Sequence, residues 1–157
     1  MYRHILVPID GSELSNRAIE YAVALAKAVN AKVTVLTVTI PYSAFAVEPE
    51  LVIIGFDEYL KNTTKLAAHY LDTAKDIAAA AKVPCDAVHE EHTQPYRAII
   101  DAAEQRGCDL IVMASHGRRG LSAIVLGSET VKVLTHSTIP VLVVRPKMNP
   151  AAFLKGS

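Results

Sequence analysis

The chain has no tryptophan, only two cysteines and no surplus of charge of either sign, and each shortage removes a class of function. Cys85 and Cys108 build neither a zinc pattern nor a disulfide framework, so both are expected to be reduced and structural. Sixteen basic residues cancel sixteen acidic ones. No global field then steers the protein onto nucleic acid or an anionic membrane, and any phosphate recognition must be local. Long apolar runs are missing too: Lys, Pro or Gly breaks each one before the roughly 18 residues that a membrane span needs. The N-terminus turns polar and acidic by Asp10, too early for the apolar stretch of a signal peptide, which predicts a cytoplasmic protein without export.

What is present suits one packed domain. The 157 residues are 51% apolar and 20% charged, close to the averages of folded soluble chains. We place the domain at residues 1–146 and expect 147–157 to form a flexible C-terminal tail. His4-Ile5-Leu6-Val7-Pro8-Ile9 is a short apolar run stopping at Asp10-Gly11-Ser12, as a buried strand does. From Ser12, which reads as an N-cap, Leu14, Ala18, Ala22, Leu25 and Val29 recur at helical spacing. The β-branched run from Val33 to Val38 is a second strand. Thr39 to about Phe56 has two prolines and no clear period and reads as a long loop, followed by a helix from roughly Asp57 to Ala81.

Cys85 to Glu91 alternates weakly, as expected of a third strand at a sheet edge. Ala98, Ile99, Ala102 and Ala103 mark a helix ending at Gly107, and the continuous apolar character from Asp109 to Ala114 marks a fourth, fully buried strand. A glycine-containing loop from Ser115 to Gly127 leads into a helix from Ser128 to His136, and Pro140 to Arg145 is the fifth strand. Strands and helices alternate throughout. This predicts an α/β fold, a single doubly wound, Rossmann-like parallel sheet of five strands in the order 3-2-1-4-5. Ligands on such sheets bind outside the carboxyl ends of the strands, at the switch point.

The segment from Ala114 to Ser128 leaves a buried strand and enters a helix. Gly117 and Gly120 permit backbone conformations closed to other residues, and Gly127-Ser128 sets exposed amides at a helix start, where the dipole favours a phosphate. The same residues equally fit a plain βα loop whose helix Ser128 caps. They form neither a Walker loop nor a G-x-G-x-x-G fingerprint.

The segment resembles the nucleotide-binding loop of universal stress proteins, G-x2-G-x9-G-[S/T], with Gly117, nine intervening residues and Gly127-Ser128 in place. Ala114 stands where that pattern has its first glycine. The opening Ile5-Leu6-Val7-Pro8-Ile9-Asp10-Gly11-Ser12 and the close Ile139-Pro140-Val141-Leu142-Val143-Val144 are similar to the same family, so the likeness spans residues 3 to 145. It implies an adenine-nucleotide site made by Pro8, Asp10, Val38, Ala114, His116, Gly117, Arg118, Gly120, Gly127, Ser128, Glu129 and Thr130. Asp10 would face the ribose or a phosphate-bound Mg²⁺, and a backbone group of Val38 would pair with the adenine edge. The glycines, Ser128 and Thr130 would surround the phosphates of ATP, ADP or AMP. His116 would contact phosphate or pack the loop, and at most one of Arg118 and Arg119 would reach the ligand.

Other constellations carry less. His89 and His92 beside Glu90 and Glu91 lack the spacing of a zinc site, and no serine has a recognisable triad or nucleophile elbow. The implied function is a nucleotide-binding stress-response or signalling module whose partner the sequence does not name, with slow ATP hydrolysis as the most it would catalyse. The alternative is a dimeric interaction protein of the same fold that holds no nucleotide. A homodimer through Val141 to Val144, with no nucleic-acid or membrane partner, is expected in either case.

Overall fold

A computed structural model describes residues 1–44, 49–117 and 125–153. The strands are β1 (His4–Pro8), β2 (Lys32–Thr39), β3 (Cys85–Glu91), β4 (Leu110–Ala114) and β5 (Val141–Val144). The helices are α1 (Glu13–Val29), α2 (Pro49–Ala80), α3 (Pro95–Gln105) and α4 (Ser128–His136), with short 3-10 turns at Tyr42–Ala44 and Pro150–Phe153. All pairings are parallel and the order is β3-β2-β1-β4-β5, the expected doubly wound sheet.

Alternation along the strands sorts the core into two layers. Ile5, Val7, Val33, Val35, Leu110 and Val112 pack on one face with residues of α1 and α2. Leu6, Leu36, Ile111 and Met113 pack on the other with Ile99 and Ala103 of α3 and Val133 of α4. Central strands are covered on both sides, hence their unbroken apolar sequence. Ser12 caps α1 as expected, its hydroxyl accepting from Ser15 N at 3.1 Å, and Asn30 ends the helix in the left-handed region at φ 58°.

One segment differs from expectation. α2 begins at Pro49, eight residues before the expected Asp57, so most of the long loop expected from Thr39 to Phe56 is helix or 3-10 turn. Proline suits a first helical position, where its missing N–H is not needed. The run Leu51-Val52-Ile53-Ile54 is apolar on every side and so carries no helical period. The Tyr59 hydroxyl donates to the Ile40 carbonyl at 2.5 Å, and the Tyr42 ring stacks near those of Phe56 and Tyr59, fixing this helix to the end of β2. Met148 packs against the α1–α2 layer and Arg17 donates to its carbonyl at 2.9 Å, so the chain turns back onto α1 after β5.

Candidate functional site

β1 and β4 lie side by side at the centre of the sheet, and the helices that follow them cover opposite faces. The chain parts there, leaving a cleft of about 560 Å³ at the carboxyl ends of the strands. Pro8, Asp10, Val38, Ala114, His116, Gly117, Gly127, Ser128, Glu129 and Thr130 line it, ten of the twelve residues expected. Arg118 and Gly120, with Arg119, lie outside the described residues.

Each lining group is placed by a local cause. Asp10 follows β1 and accepts from Ser12 N at 3.0 Å, a turn that fixes its carboxylate at the foot of α1. Gly117 lies directly against that carboxylate: a Cβ there would collide with Asp10 Oδ2. Its φ is not in the left-handed region, so close approach, and not the conformational freedom expected from sequence, is what requires glycine. At Gly127 (φ −63°, ψ 154°) the constraint is likewise proximity, with His116 Cα 3.2 Å from where a Cβ would stand. Gly127 N donates to Ser115 O at 2.7 Å, folding the loop's ends together.

Gly127, and not Ser128, is the N-cap of α4, so Ser128, Glu129 and Thr130 are its first three residues. Their N–H groups have no acceptor within the helix. Thr130 is buried and its hydroxyl donates to the Ala114 carbonyl at 3.0 Å, pinning this first turn to the end of β4. Ala114 itself is buried in the layer beneath α1 while it also lines the cleft, so its methyl packs largely into the core.

Val38 offers backbone rather than side chain. Ile9 N donates to Leu36 O at 2.8 Å and His92 N to Thr39 O at 3.0 Å, so successive residues of β2 turn their polar groups to opposite neighbours. Val38 shares the parity of Leu36, and β1 has ended by that point. Its N–H and C=O therefore face the cleft.

Several lining residues were not anticipated. Leu36, Ile40, Ile99 and Met113 give the cleft an apolar floor, and Thr93 and Pro95 bring the start of α3 to its rim. The only sequence signal for that rim was Pro95 at a helix start. The arrangement suits a ligand with a flat apolar part, an edge that hydrogen-bonds to backbone, and an anionic group at the amides of α4. Away from the cleft, His89 bonds to Thr39 at 2.8 Å and His92 accepts from Gln94 N at 2.8 Å. No group of three or more metal-binding side chains gathers among the described residues.

The doubly wound parallel sheet with a cleft at the carboxyl ends of its strands defines an α/β module, and comparison assigns its family. The model of the universal stress protein family matches residues 1–145. Universal stress protein YxiE of Bacillus subtilis is 35% identical over 152 residues, covering 92% of this chain and 100% of that one. UspA from Lactobacillus plantarum superposes with a TM-score of 0.81 at 26% identity over 92% of this chain and 98% of its own. A universal stress protein crystallised with cAMP superposes at 0.69 with 28% identity, over 92% and 97% of the two chains. The chain belongs to the universal stress protein family.

Proposed function

We propose that the cleft binds an adenine nucleotide, ATP, ADP or AMP, and that the protein is a cytoplasmic stress-response or signalling module whose state depends on that ligand. The observation that carries this reading is the first turn of α4. Its amides open on the cleft beside Gly117 and Gly127, whose lack of a side chain lets the Asp10 carboxylate and the His116 backbone close in at the foot of the helix. The Val38 backbone supplies the edge that adenine would need, and a relative of this fold was crystallised with cAMP. Cys108 is buried and burial pushes its thiol up to about 11, which makes it a poor nucleophile and a structural residue. Where Mg²⁺ accompanies the phosphates, Asp10 is the carboxylate placed to hold it, since that ion takes one or two carboxylates together with phosphate oxygens and water. At most slow hydrolysis accompanies binding: beyond Arg118 and Arg119, which lie outside the described residues, the lining offers no Lys or Arg to stabilise charge on a leaving group. Ala114 was the main argument for a protein that holds no nucleotide, and its inward methyl weakens that alternative.

Titration with ATP, ADP and AMP, with and without Mg²⁺, tests the reading. At about 100 times the dissociation constant the ligand should add roughly 2.7 kcal/mol of stability and raise the melting temperature. An unchanged thermal transition with all three at millimolar concentration would refute it.

We also propose a homodimer through β5. Among the described residues its outer edge is unpaired, Val141, Leu142 and Val143 are only partly buried, and Val131 and Leu134 of α4 are exposed. β3, the opposite edge, carries Asp86, Glu90 and Glu91, which discourage pairing. Val143→Glu should place like charges across the twofold axis and split the dimer. Light scattering of the unaltered protein that gives a 16.9 kDa particle would mean that the flanking Pro140 and Pro146 guard the edge instead.

A further inference from the structure

We propose that Tyr70 of α2 is a positioning residue for the cleft, its ring supporting from outside the turn that presents Asp10; this rests on the nucleotide reading above. Tyr70 does not itself line the cleft. It packs at the margin of the α1–α2 layer, next to Ala67, Leu71 and Ala74, which form the buried stripe of α2. Its ring lies directly on Gly11, where a Cβ would overlap the Cδ1, Cε1 and Cζ atoms. Gly11 is also in the left-handed region at φ 77°. A side chain is therefore excluded there twice, by the backbone angle and by the ring that fills the space.

The turn that Tyr70 supports is short. The Asp10 carboxylate accepts from Ser12 N at 3.0 Å, and Ser12 is already the cap of α1. Within the cleft Gly117 lies against Asp10 Oδ2, so the turn is held between one glycine contact inside the cleft and another outside it. The same helix reaches the end of β2. There the Tyr59 hydroxyl donates to the carbonyl of Ile40, a residue of the cleft floor. Tyr59 and Tyr70 are eleven residues apart, close to three turns, so they leave α2 on one side with about 16 Å between them. One rigid helix thus touches both the turn that carries Asp10 and the end of β2, and fixes the first relative to the second. Without the ring a space opens beside Gly11, and glycine has no side chain with which to resist the shift of the turn.

The test is a double-mutant cycle on nucleotide affinity, measured by calorimetry with Mg²⁺ and the tightest-bound of ATP, ADP and AMP. The proteins are the unaltered chain, Tyr70→Phe, Tyr70→Leu, Asp10→Asn, and Tyr70→Leu combined with Asp10→Asn, each first shown to melt cooperatively. Phenylalanine keeps the ring that meets Gly11 and should bind within about twofold of the unaltered protein. Asp10→Asn keeps an oxygen for Ser12 N and loses the charge, so affinity should fall by roughly tenfold, the worth of one hydrogen bond to a charged group. Tyr70→Leu should lose about fivefold, and the combined variant should bind no worse than Asp10→Asn alone, because Tyr70 acts through that carboxylate. A tyrosine that only stabilised the fold would give losses that multiply. Should Tyr70→Leu not fold, Gly11→Ala separates ring and turn from the other side and must give the same pattern with Asp10→Asn. Unchanged affinity in folded Tyr70→Leu, an equal loss in Tyr70→Phe, losses that multiply, or full affinity in Asp10→Asn would each overturn the proposal and leave nucleotide binding in place. Failure of the unaltered protein to bind any of the three nucleotides would remove the functional reading and this inference together.

Discussion

The two ends of the sheet treat their polar groups in opposite ways. At the amino end of β1 and β4, Asp109 accepts from the backbone of Arg3 at 2.9 Å and of His4 at 3.0 Å, and its own N–H returns to His4 O at 2.9 Å. The buried His4 ring lies between Arg106 O, 3.1 Å from Nδ1, and the Thr34 hydroxyl, 2.7 Å from Nε2. Donors and acceptors there are matched within the protein. At the carboxyl end, the first amides of α4 and the backbone of Val38 face an open cleft instead. Unmatched polar groups cost stability when buried, but those at the open end are satisfied by water and can exchange it for another partner without that cost.

The strongest break of this contrast is Gly127→Val. A Cβ at position 127 would stand 3.2 Å from His116 Cα, so the branched side chain would force apart the two ends of the loop at the start of α4. The extended backbone there suits any residue but His116 must give way, so the fold should survive at a cost of about 1–3 kcal/mol from the poorer cap and the crowding. Nucleotide affinity should fall by about a hundredfold or more, as expected when the amides and dipole of the first turn are lost to the ligand. Unaltered affinity in the folded variant would place the phosphates elsewhere.

Legibility in the sequence followed the same division. Strands buried on both faces announce themselves as apolar runs, so Leu110 to Ala114 and its neighbours were readable, and alternation with helices then fixed the order. The first turns of α2 were not readable, because Leu51-Val52-Ile53-Ile54 lacks the polar residues that would define a face. In the cleft, the loop from Ala114 to Ser128 was legible through its glycines, though for the wrong reason at Gly117, where the Asp10 carboxylate and not the backbone angle excludes a side chain. The rim from Thr93 and Pro95, and the bond from Tyr96 to Glu129, arise only when the crossover from β3 carries α3 over the sheet. No local pattern records contacts of that kind.

The smallest expected effect concerns the closed end and acts through pH. Arg106 O can only accept, so Nδ1 of His4 carries the proton and Nε2 accepts from the Thr34 hydroxyl; the ring is neutral. Burial, and then the nearby charge of Lys32, hold its pKa below the ordinary 6.5. The unfolded chain therefore binds this proton at a higher pH than the folded one. Stability is fully present above about pH 6.5 and falls as pH drops from there toward the lowered folded value, by at most about 1.4 kcal/mol per pH unit for one proton. His4→Phe, which removes the titrating group, should show a flatter loss between about pH 7.5 and 5.5 in urea unfolding, whatever its absolute stability. Nucleotide affinity of the folded variant at the upper pH should match that of the unaltered protein, because the cleft lies at the other end of β1. Parallel pH profiles for the two proteins would mean that the folded state accepts the proton on His4 as readily as the unfolded chain does. A loss of affinity in His4→Phe would mean that the two ends are coupled through the strand that joins them.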